Sequence, residues 1–352
     1  MLKIGILAFL LMLVSLIITP MFIKFALKIK ATDKPDHRKV HTDPIPTLGG
    51  LVIFTSFLVG LVILQPYNEY HVSIVVASFI IIGHSIVDDV YNLTPKIKFV
   101  FQLAAALLVV FWGGLQVELV NLPFAGQVEL GFLSSIVAIV WILGLTNAMN
   151  LIDGLDGLAA GVSAIALFTI AMMAISMNQV YVATMALILF FSTVGFLRYN
   201  FFPAKIFMGD TGSQFLGFMI AVLALLGFKN VTIISFIIPI FIAGVPLSDI
   251  ILAIVRRKIN KQPLTKPDSS HLHHSLVRTG FTHRQTVLLL YGLSIMFNLA
   301  AVLFSMTTVW GAVLIFLIAV IAIQFLIENL ELINSNFKPL TKMMNAIRRK
   351  SE

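Results

Sequence analysis

Two aspartates, two asparagines and three glycines interrupt an apolar stretch of the chain that reads NAMNLIDGLDGLAAG. Asn150, Asp153 and Asp156 recur every third residue, so one helical turn would place them on the same side. Oxygen donors grouped in this way suit a divalent cation, although the stretch lacks the alternating ligands and final glutamate of an EF-hand. Gly154 and Gly157 would let a ligand or another backbone approach closely. The segment therefore predicts a binding pocket, and packing of small residues between helices is the alternative interpretation.

A pair of adjacent aspartates, Asp88 and Asp89, ends another apolar run, within HSIVDDVYNLTPKIK. Neighbouring side chains on a helix point about 100° apart, so the two acids are expected to serve different partners. Acids at a helix C-terminus oppose the helix dipole and need a compensating cation, such as Lys96, Lys98 or a metal ion. An ordinary solvated helix end is the alternative.

The segment FFPAKIFMGDTGS combines a helix breaker with residues that favour a helix N-terminus. Gly209 breaks a helix, while Asp210, Thr211 and Ser213 are capping types. The free amides of a helix start attract an anion, but Asp210 would repel that anion unless a divalent metal lay between them. Phe207 offers a ring for stacking. An ordinary helix cap is the alternative.

A cluster of histidines follows capping residues in DSSHLHHSLVRTG. A helix from about Ser270 would align His271, His274 and Arg278 into a cationic or hydrogen-donating stripe suited to phosphate. The alternatives are a plain surface helix and a zinc site, which needs three or four ligands and would have no cysteine here. A polar loop nearer the N-terminus adds Lys39 to the candidate cations.

The remainder of the chain has the composition of a membrane protein. Of its 352 residues, 59% are hydrophobic and 11% are charged, whereas soluble domains carry about 25% charged residues. Runs long enough to cross a bilayer predict an all-α polytopic integral membrane protein with about eleven transmembrane helices. These runs are 4–27, 48–65, 71–91, 97–115, 131–149, 155–177, 180–198, 212–228, 232–255, 286–306 and 308–329.

Charge distribution predicts the orientation of these spans. Every lysine and arginine except Lys3 and Lys229 falls on one side, which the positive-inside rule makes cytoplasmic. The N-terminus is therefore expected outside and the C-terminus in the cytoplasm. Nearly all acids share the cytoplasmic face, so residues 1–330 are expected to form one transmembrane catalytic domain whose five inner loops build the site, and 331–352 a basic cytoplasmic tail. The net charge of +8 needs no nucleic acid, since topology and anionic lipid explain it.

The chemistry that unites these segments is phosphoryl transfer. It requires a metal, accurate positioning and positive charge around the phosphates, and the chain has no P-loop that would make it an ATPase. A site at the lipid boundary indicates that one substrate is a lipid. An ion-coupled transporter is the alternative from another class, but transporter sites lie near the membrane midplane and often show inverted repeats.

The segments VDDVYNL, NAMNLIDGLDGLAAG, FMGDTGS and HLHH, in this order, resemble the polyprenyl-phosphate N-acetylhexosamine-1-phosphate transferases, glycosyltransferase family 4. The resemblance runs from about residue 30 to residue 285. It is nearest to the bacterial enzymes that start wall teichoic acid linkage units. It implies transfer of GlcNAc-1-phosphate from UDP-GlcNAc to undecaprenyl phosphate, with release of UMP, at the cytoplasmic face of a bacterial plasma membrane. It also implies Mg²⁺, with Mn²⁺ as a substitute ion, and leaves room for a homodimer.

The same resemblance implies roles for individual residues. Asp210 would be the Mg²⁺ ligand, joined by Asn150. Asp88 would deprotonate or position the lipid phosphate, with Asp89 beside it at the catalytic centre.

Further roles concern the donor. Asp156 and Asp153 would bind the nucleotide, and the ring of Phe207 would stack on uracil. The phosphate-binding residues would be Lys39, Lys98, His271, His273, His274 and Arg278.

Two departures separate the chain from the phospho-MurNAc-pentapeptide translocase, another member of this superfamily. That enzyme usually has a lysine where this chain has Asn92, and its histidine motif is three histidines followed by Phe-Glu, where this chain reads HLHHS. Both departures favour a GlcNAc donor, and the translocase is the alternative within the superfamily.

Overall fold

A computed structural model describes residues 2–33, 44–117, 119–122, 126–228, 237–259, 261 and 271–307, together with positions 311, 314, 317, 318, 321, 324 and 328. Helices make up most of this part of the chain. They are α1 (Leu2–Lys28), α2 (Gly49–Leu64), α3 (His71–Tyr91), α4 (Pro95–Leu107), α5 (Leu133–Ile152), α6 (Leu158–Ser176), α7 (Val180–Asn200), α8 (Gly209–Phe228), α9 (Ile237–Ile242), α10 (Gly244–Ile259), α11 (Leu272–Arg278) and α12 (His283–Met306). A π-helical segment, Leu108–Trp112, extends α4.

Two short antiparallel hairpins, which the sequence analysis did not predict, accompany the helices. In the first, β1 (Thr32–Asp33) pairs with β2 (Ile45–Pro46). In the second, β3 (Leu119–Leu122) pairs with β4 (Gly126–Glu129). The first hairpin matters for the site because it directs the chain from α1 into α2.

The helices confirm a multi-pass, all-α membrane protein. Within the described ranges, eight helices are long and apolar enough to cross a bilayer, and α2 is apolar but has only 16 residues. Hydropathy located most spans well, and it predicted 71–91 where α3 lies. The number eleven stays a prediction, because the span 308–329 lies largely outside the described residues and the tail 331–352 entirely so.

The predicted span 232–255 differs from the structure, where two helices, α9 and α10, meet at Ala243. Pro246 lacks an amide hydrogen and is tolerated only in the first turn of a helix, so α10 must begin just before it. A Cβ atom at Gly244 would lie 2.4 Å from the ring of Phe297 on α12, so a glycine is needed for this approach. The break directs α10 toward the site.

Helix α8 forms the centre of the bundle. Every residue from Thr211 to Phe228 is buried, and the helix packs against α2, α3, α5, α6, α7 and α9. A helix that is apolar on all sides is expected to be enclosed in this way. Gly217 allows close packing, because a Cβ atom there would lie 2.9 Å from the Cα of Thr146 on α5. The first turn of α8 is therefore surrounded by neighbouring helices, and the ends of α3, α4 and α5 contact it.

Glycines also fix the start of α2 against the first turn of α8. A Cβ atom at Gly50 would lie 2.1 Å from the backbone nitrogen of Gly212, so the two backbones touch. The Phe207 amide donates to the Pro46 carbonyl (2.8 Å), and its own carbonyl accepts from the Gly49 amide (3.0 Å). Small residues at helix contacts are typical of membrane bundles. The segment before α8 is thereby held on two sides.

Candidate active site

The C-terminal ends of α3 and α5 and the N-terminal ends of α4 and α8 meet around one lysine. Lys98 Nζ forms an ion pair with Asp88 Oδ2 and donates to Asp210 Oδ2 at 2.8 Å. Pro95 opens α4 at the position where its missing amide hydrogen costs nothing. Lys98 is thus the compensating cation for Asp88, the first acid of the pair.

Asp88 is buried at the end of α3 and is held on both sides. Besides Lys98, its Oδ1 accepts from the Leu93 amide at 2.7 Å. The helix ends there because Asn92 adopts the left-handed conformation (φ 53°) and its amide donates to the Asp88 carbonyl. Asparagine tolerates this conformation better than most residues. Asn92 therefore ends α3 beside Asp88. This structural role is separate from the absence of a lysine charge at this position.

Asp89 caps the N-terminus of α8. Its Oδ1 accepts from the Asp210 amide (2.8 Å), and its Oδ2 accepts from the Thr211 amide (3.1 Å) and from Thr211 Oγ1 (2.6 Å). Free amides at a helix start need such partners. The capping residue types around Gly209 indicated a helix start, but nothing local showed that the cap comes from α3. This contact makes Asp89 a positioning residue, and its predicted catalytic role stays a prediction.

The predicted metal pair, Asn150 and Asp210, is in direct contact. Asn150 Nδ2 donates to Asp210 Oδ1 and to Ser213 Oγ, both at 2.9 Å. Asp153 follows α5 as its C-cap. Partial burial, together with the negative charges of Asp210, Asp89 and Asp156, raises the pKa of Asp153 well above its ordinary value. The raised pKa shows that several carboxyl groups crowd this region, and a bound cation would relieve the repulsion between their charged forms.

The donor set fits an open magnesium site. In the described part of the chain, no three or more His, Cys, Asp or Glu side chains form a closed metal cage. Mg²⁺ usually keeps several waters and uses one or two carboxylates plus substrate phosphates, so a cage is not required. The Asp210 side chain is 27% exposed and open to such a ligand. Ligation through Asn150 would require its amide to turn, because its nitrogen faces Asp210.

The loop between α5 and α6 is held by the α7–α8 connection and by α12. Asp156 Oδ2 accepts from the Ala204 amide at 2.9 Å, and its Oδ1 lies 4.0 Å from His283 Nε2. The His283 ring stacks on Phe202 with 4.5 Å between centroids. Sequence analysis missed His283 and Phe202. The only local signal was the Thr-x-x-Gln capping box at the start of α12, which predicts a helix start and no contact.

Gly157 directly precedes α6 as its N-cap and completes this attachment. Its backbone is left-handed (φ 77°), a conformation that glycine adopts without strain. Its carbonyl accepts from Tyr291 Oη at 2.5 Å, and a Cβ atom there would lie 3.1 Å from the Phe201 ring. Tyr291, which sequence analysis also missed, thus fixes the loop from α12.

The histidine motif reaches the site differently from the predicted stripe. The short helix α11 begins at Leu272, and His271 precedes it as the N-cap. His271 Nδ1 donates to Asp249 Oδ2 and the Leu272 amide to Asp249 Oδ1, both at 2.7 Å. His271 is therefore a buried partner of α10, while His274 and Arg278 are exposed. The aligned stripe was wrong for His271, because the helix starts after it.

His273 is the histidine that contacts the loop between α5 and α6. A Cβ atom at Gly154 would lie 2.4 Å from His273 Nε2, so the ring rests on the glycine. Burial, followed by the charge of His274, lowers the pKa of His273 to about 3. His273 is therefore neutral at ordinary pH and can act through hydrogen bonds but not through positive charge.

The segment of the chain that carries most of these residues is shared with known proteins. Residues 71–228 match the profile of glycosyl transferase family 4. The chain is 46% identical over 334 residues to the probable undecaprenyl-phosphate N-acetylglucosaminyl 1-phosphate transferase of Bacillus subtilis, covering 94% of this chain and 93% of that protein. The chain belongs to glycosyl transferase family 4.

Other family 4 relatives differ in the substrates that their names state. The decaprenyl-phosphate N-acetylglucosaminephosphotransferase of Mycobacterium tuberculosis is 33% identical over 298 residues, or 76% of this chain and 74% of that protein. The phospho-N-acetylmuramoyl-pentapeptide-transferase of Staphylococcus carnosus is 30% identical over 311 residues, or 81% and 94%. The resemblance stated from the motifs is thereby confirmed at the level of the superfamily.

Most of the predicted site residues of this family 4 protein come together in the structure. One cluster, inside the matched segment 71–228, contains Asp88, Asp89, Lys98, Asn150 and Asp210. A second joins Asp153 and Asp156 on the α5–α6 loop to His273, which lies beyond that segment. Phe207 is half-buried three residues before Asp210. Lys39 lies outside the described residues, so its role stays a prediction.

Proposed function

We propose that this family 4 protein transfers GlcNAc-1-phosphate from UDP-GlcNAc to undecaprenyl phosphate and releases UMP. The observation that carries the proposal is Lys98 between Asp88 and Asp210 at the converging helix ends. Lys98 supplies a positive charge in direct contact with two carboxylates. Asp88 is the buried one, and Asp210 is the partly exposed one that would bind a metal. The name of the Bacillus subtilis relative states the same activity.

The reaction is an in-line displacement at phosphorus. An oxygen of the lipid phosphate attacks the β-phosphorus of UDP-GlcNAc, the bond to the bridging oxygen breaks, and UMP leaves with that oxygen. Asp88 takes the proton of a singly protonated lipid phosphate, and Lys98 pairs with the phosphate oxygens. Asp210, joined by Asn150, would hold Mg²⁺, which would supply charge neutralisation at the pyrophosphate.

Recognition of the nucleotide falls to the α5–α6 loop and its neighbours. Asp156 is oriented by the Ala204 amide and would bind uracil, on which the ring of Phe207 would stack. His273 would offer hydrogen bonds without positive charge near Gly154, and the exposed His274 and Arg278 would bind the phosphates. These assignments combine the family resemblance with the contacts of each side chain.

The same proposal extends to topology and pathway. The lysine and arginine distribution supports eleven spans with the N-terminus outside, the C-terminus inside and the site on the cytoplasmic face. One catalytic domain would span residues 1–330, followed by the basic tail 331–352. The motif resemblance supports the first membrane step of wall teichoic acid synthesis, and a homodimer is compatible with this arrangement.

A donor assay tests this function. Purified protein in detergent receives undecaprenyl phosphate and Mg²⁺ with either UDP-GlcNAc or UDP-MurNAc-pentapeptide, and UMP and lipid-linked product are measured. We expect product from UDP-GlcNAc only, its loss with a chelator and its recovery with Mg²⁺ or Mn²⁺. Product from the pentapeptide donor alone would identify a translocase. Uptake of substrate into proteoliposomes without lipid-linked product would identify a transporter.

A further inference from the structure

Two cations at the C-terminal end of α7 line a pair of cavities away from the carboxylate cluster. Arg198 lies in the last turn of α7, and Lys205 lies in the connection to α8. Both side chains line a cavity of 530 Å³ and a second of 580 Å³. Neither residue belongs to the machinery proposed above.

The walls of these cavities are mostly apolar. Val194 and Leu197 of α7 line the first, and Leu16, Ile17 and Pro20 of α1 line the second. Ile17 is 70% exposed on the outer surface of α1, a surface that faces lipid in a membrane bundle. The second cavity is therefore open on the exposed side of α1.

Among the described residues, no carboxylate pairs with either of the two cations, Arg198 and Lys205. Like charges that line the same cavity repel each other, and an anion between them removes that repulsion. The guanidinium of arginine matches phosphate oxygens with two parallel hydrogen bonds. The two cations match the charged headgroup of an amphiphile, and the apolar walls match its hydrocarbon part.

We propose that Arg198 and Lys205 bind the phosphate headgroup of an anionic two-chain phospholipid, whose acyl chains lie along α1 and α7. The first cavity adjoins the active-site loop, because two of its lining residues, Phe201 and Tyr291, contact Gly157. The bound lipid thus supports the residues that hold this loop in place.

Native mass spectrometry of the detergent-purified chain tests the proposal. The chain is titrated with phosphatidylglycerol and with phosphatidylcholine. We expect preferential retention of phosphatidylglycerol, and an affinity about thirtyfold lower in R198Q/K205Q, since each basic residue near an anionic lipid surface is worth about fivefold. The matched control K24Q/K28Q removes two exposed cations of α1 that line neither cavity, and it should bind as the wild type does. Unchanged thermal unfolding of both variants shows that they are folded.

Three results would overturn the proposal. R198Q/K205Q could retain phosphatidylglycerol as the wild type does, or the control could lose it equally, which would show unspecific surface charge. Inorganic phosphate or undecaprenyl phosphate could displace the bound lipid at matched concentration, which would assign the cations to a soluble anion or to the acceptor substrate.

Discussion

At the scale of single residues, the acid pair divides its work between two partners. The sequence predicted this division from the angle between neighbouring helical side chains, and the contacts confirm it. Asp88 pairs with Lys98, whereas Asp89 caps α8. The identity of the second partner could not be predicted, because the spacing of residues along α3 carries no information about a helix that begins at Gly209.

Substitutions at the two acids should therefore impair different properties of the protein, turnover in one case and stability in the other. We expect Asp88→Asn to slow transfer by roughly 10²- to 10⁴-fold, the usual effect of removing a general base, while UDP-GlcNAc binding measured by calorimetry is kept. Asp89→Ala should lower the free energy of unfolding by about 1–2 kcal/mol, as loss of a helix cap does. Thermal unfolding in detergent measures the second effect. If Asp88→Asn lost stability and Asp89→Ala lost only turnover, the roles would be reversed.

At the scale of elements, the site depends on where helices end and how closely they approach. Hydropathy predicted the spans because each must match the thickness of the bilayer. It did not predict the break between α9 and α10, since Gly244 and Pro246 barely alter the average hydropathy. The contact between α2 and α8 was equally invisible, because a glycine in sequence does not reveal which backbone touches it.

Glycine at the α2–α8 contact should be indispensable. Gly50→Ala would place a methyl group 2.1 Å from the Gly212 amide nitrogen, and forced overpacking costs about 1–3 kcal/mol. We expect lower thermal stability and reduced turnover, because the first turn of α8 carries Asp210. The matched control is Gly83→Ala in α3, which meets no atom within 4 Å and should be neutral or slightly stabilising. Equal behaviour of the two variants would contradict the close contact.

At the scale of the whole molecule, a buried polar network ties α8 to three neighbouring helices. Gln214 Oε1 accepts from His84 Nε2 of α3 (2.9 Å) and from Gln102 Nε2 of α4 (2.8 Å). Gln102 Oε1 in turn accepts from Asn147 Nδ2 of α5 (2.8 Å). Gln214 also donates to Asp210 at 3.2 Å. Polar groups inside a membrane bundle need such partners, so the network connects the core to the site.

The stability of the whole fold should depend on pH through His273. Its folded pKa of about 3 lies below the ordinary value of 6.5, so the unfolded chain takes up a proton first as the pH falls. The contribution to stability is complete above pH 6.5 and decreases by about 1 kcal/mol between pH 6.5 and pH 5.5. Thermal unfolding of the wild type should therefore weaken over this interval more than that of His273→Gln. Identical pH dependence of the two proteins would refute a neutral, buried His273.

The enclosure of α8 has a consequence for inhibitors. Its first turn is bounded by the Asp89 cap, by the backbone of Gly50 and by Asn150. A substitution there carries a cost in capping, packing or catalysis, so a compound that binds this turn leaves few routes to resistance. A compound that relies on exposed side chains outside the site leaves many, since those side chains can change without disturbing the bundle or the proposed reaction.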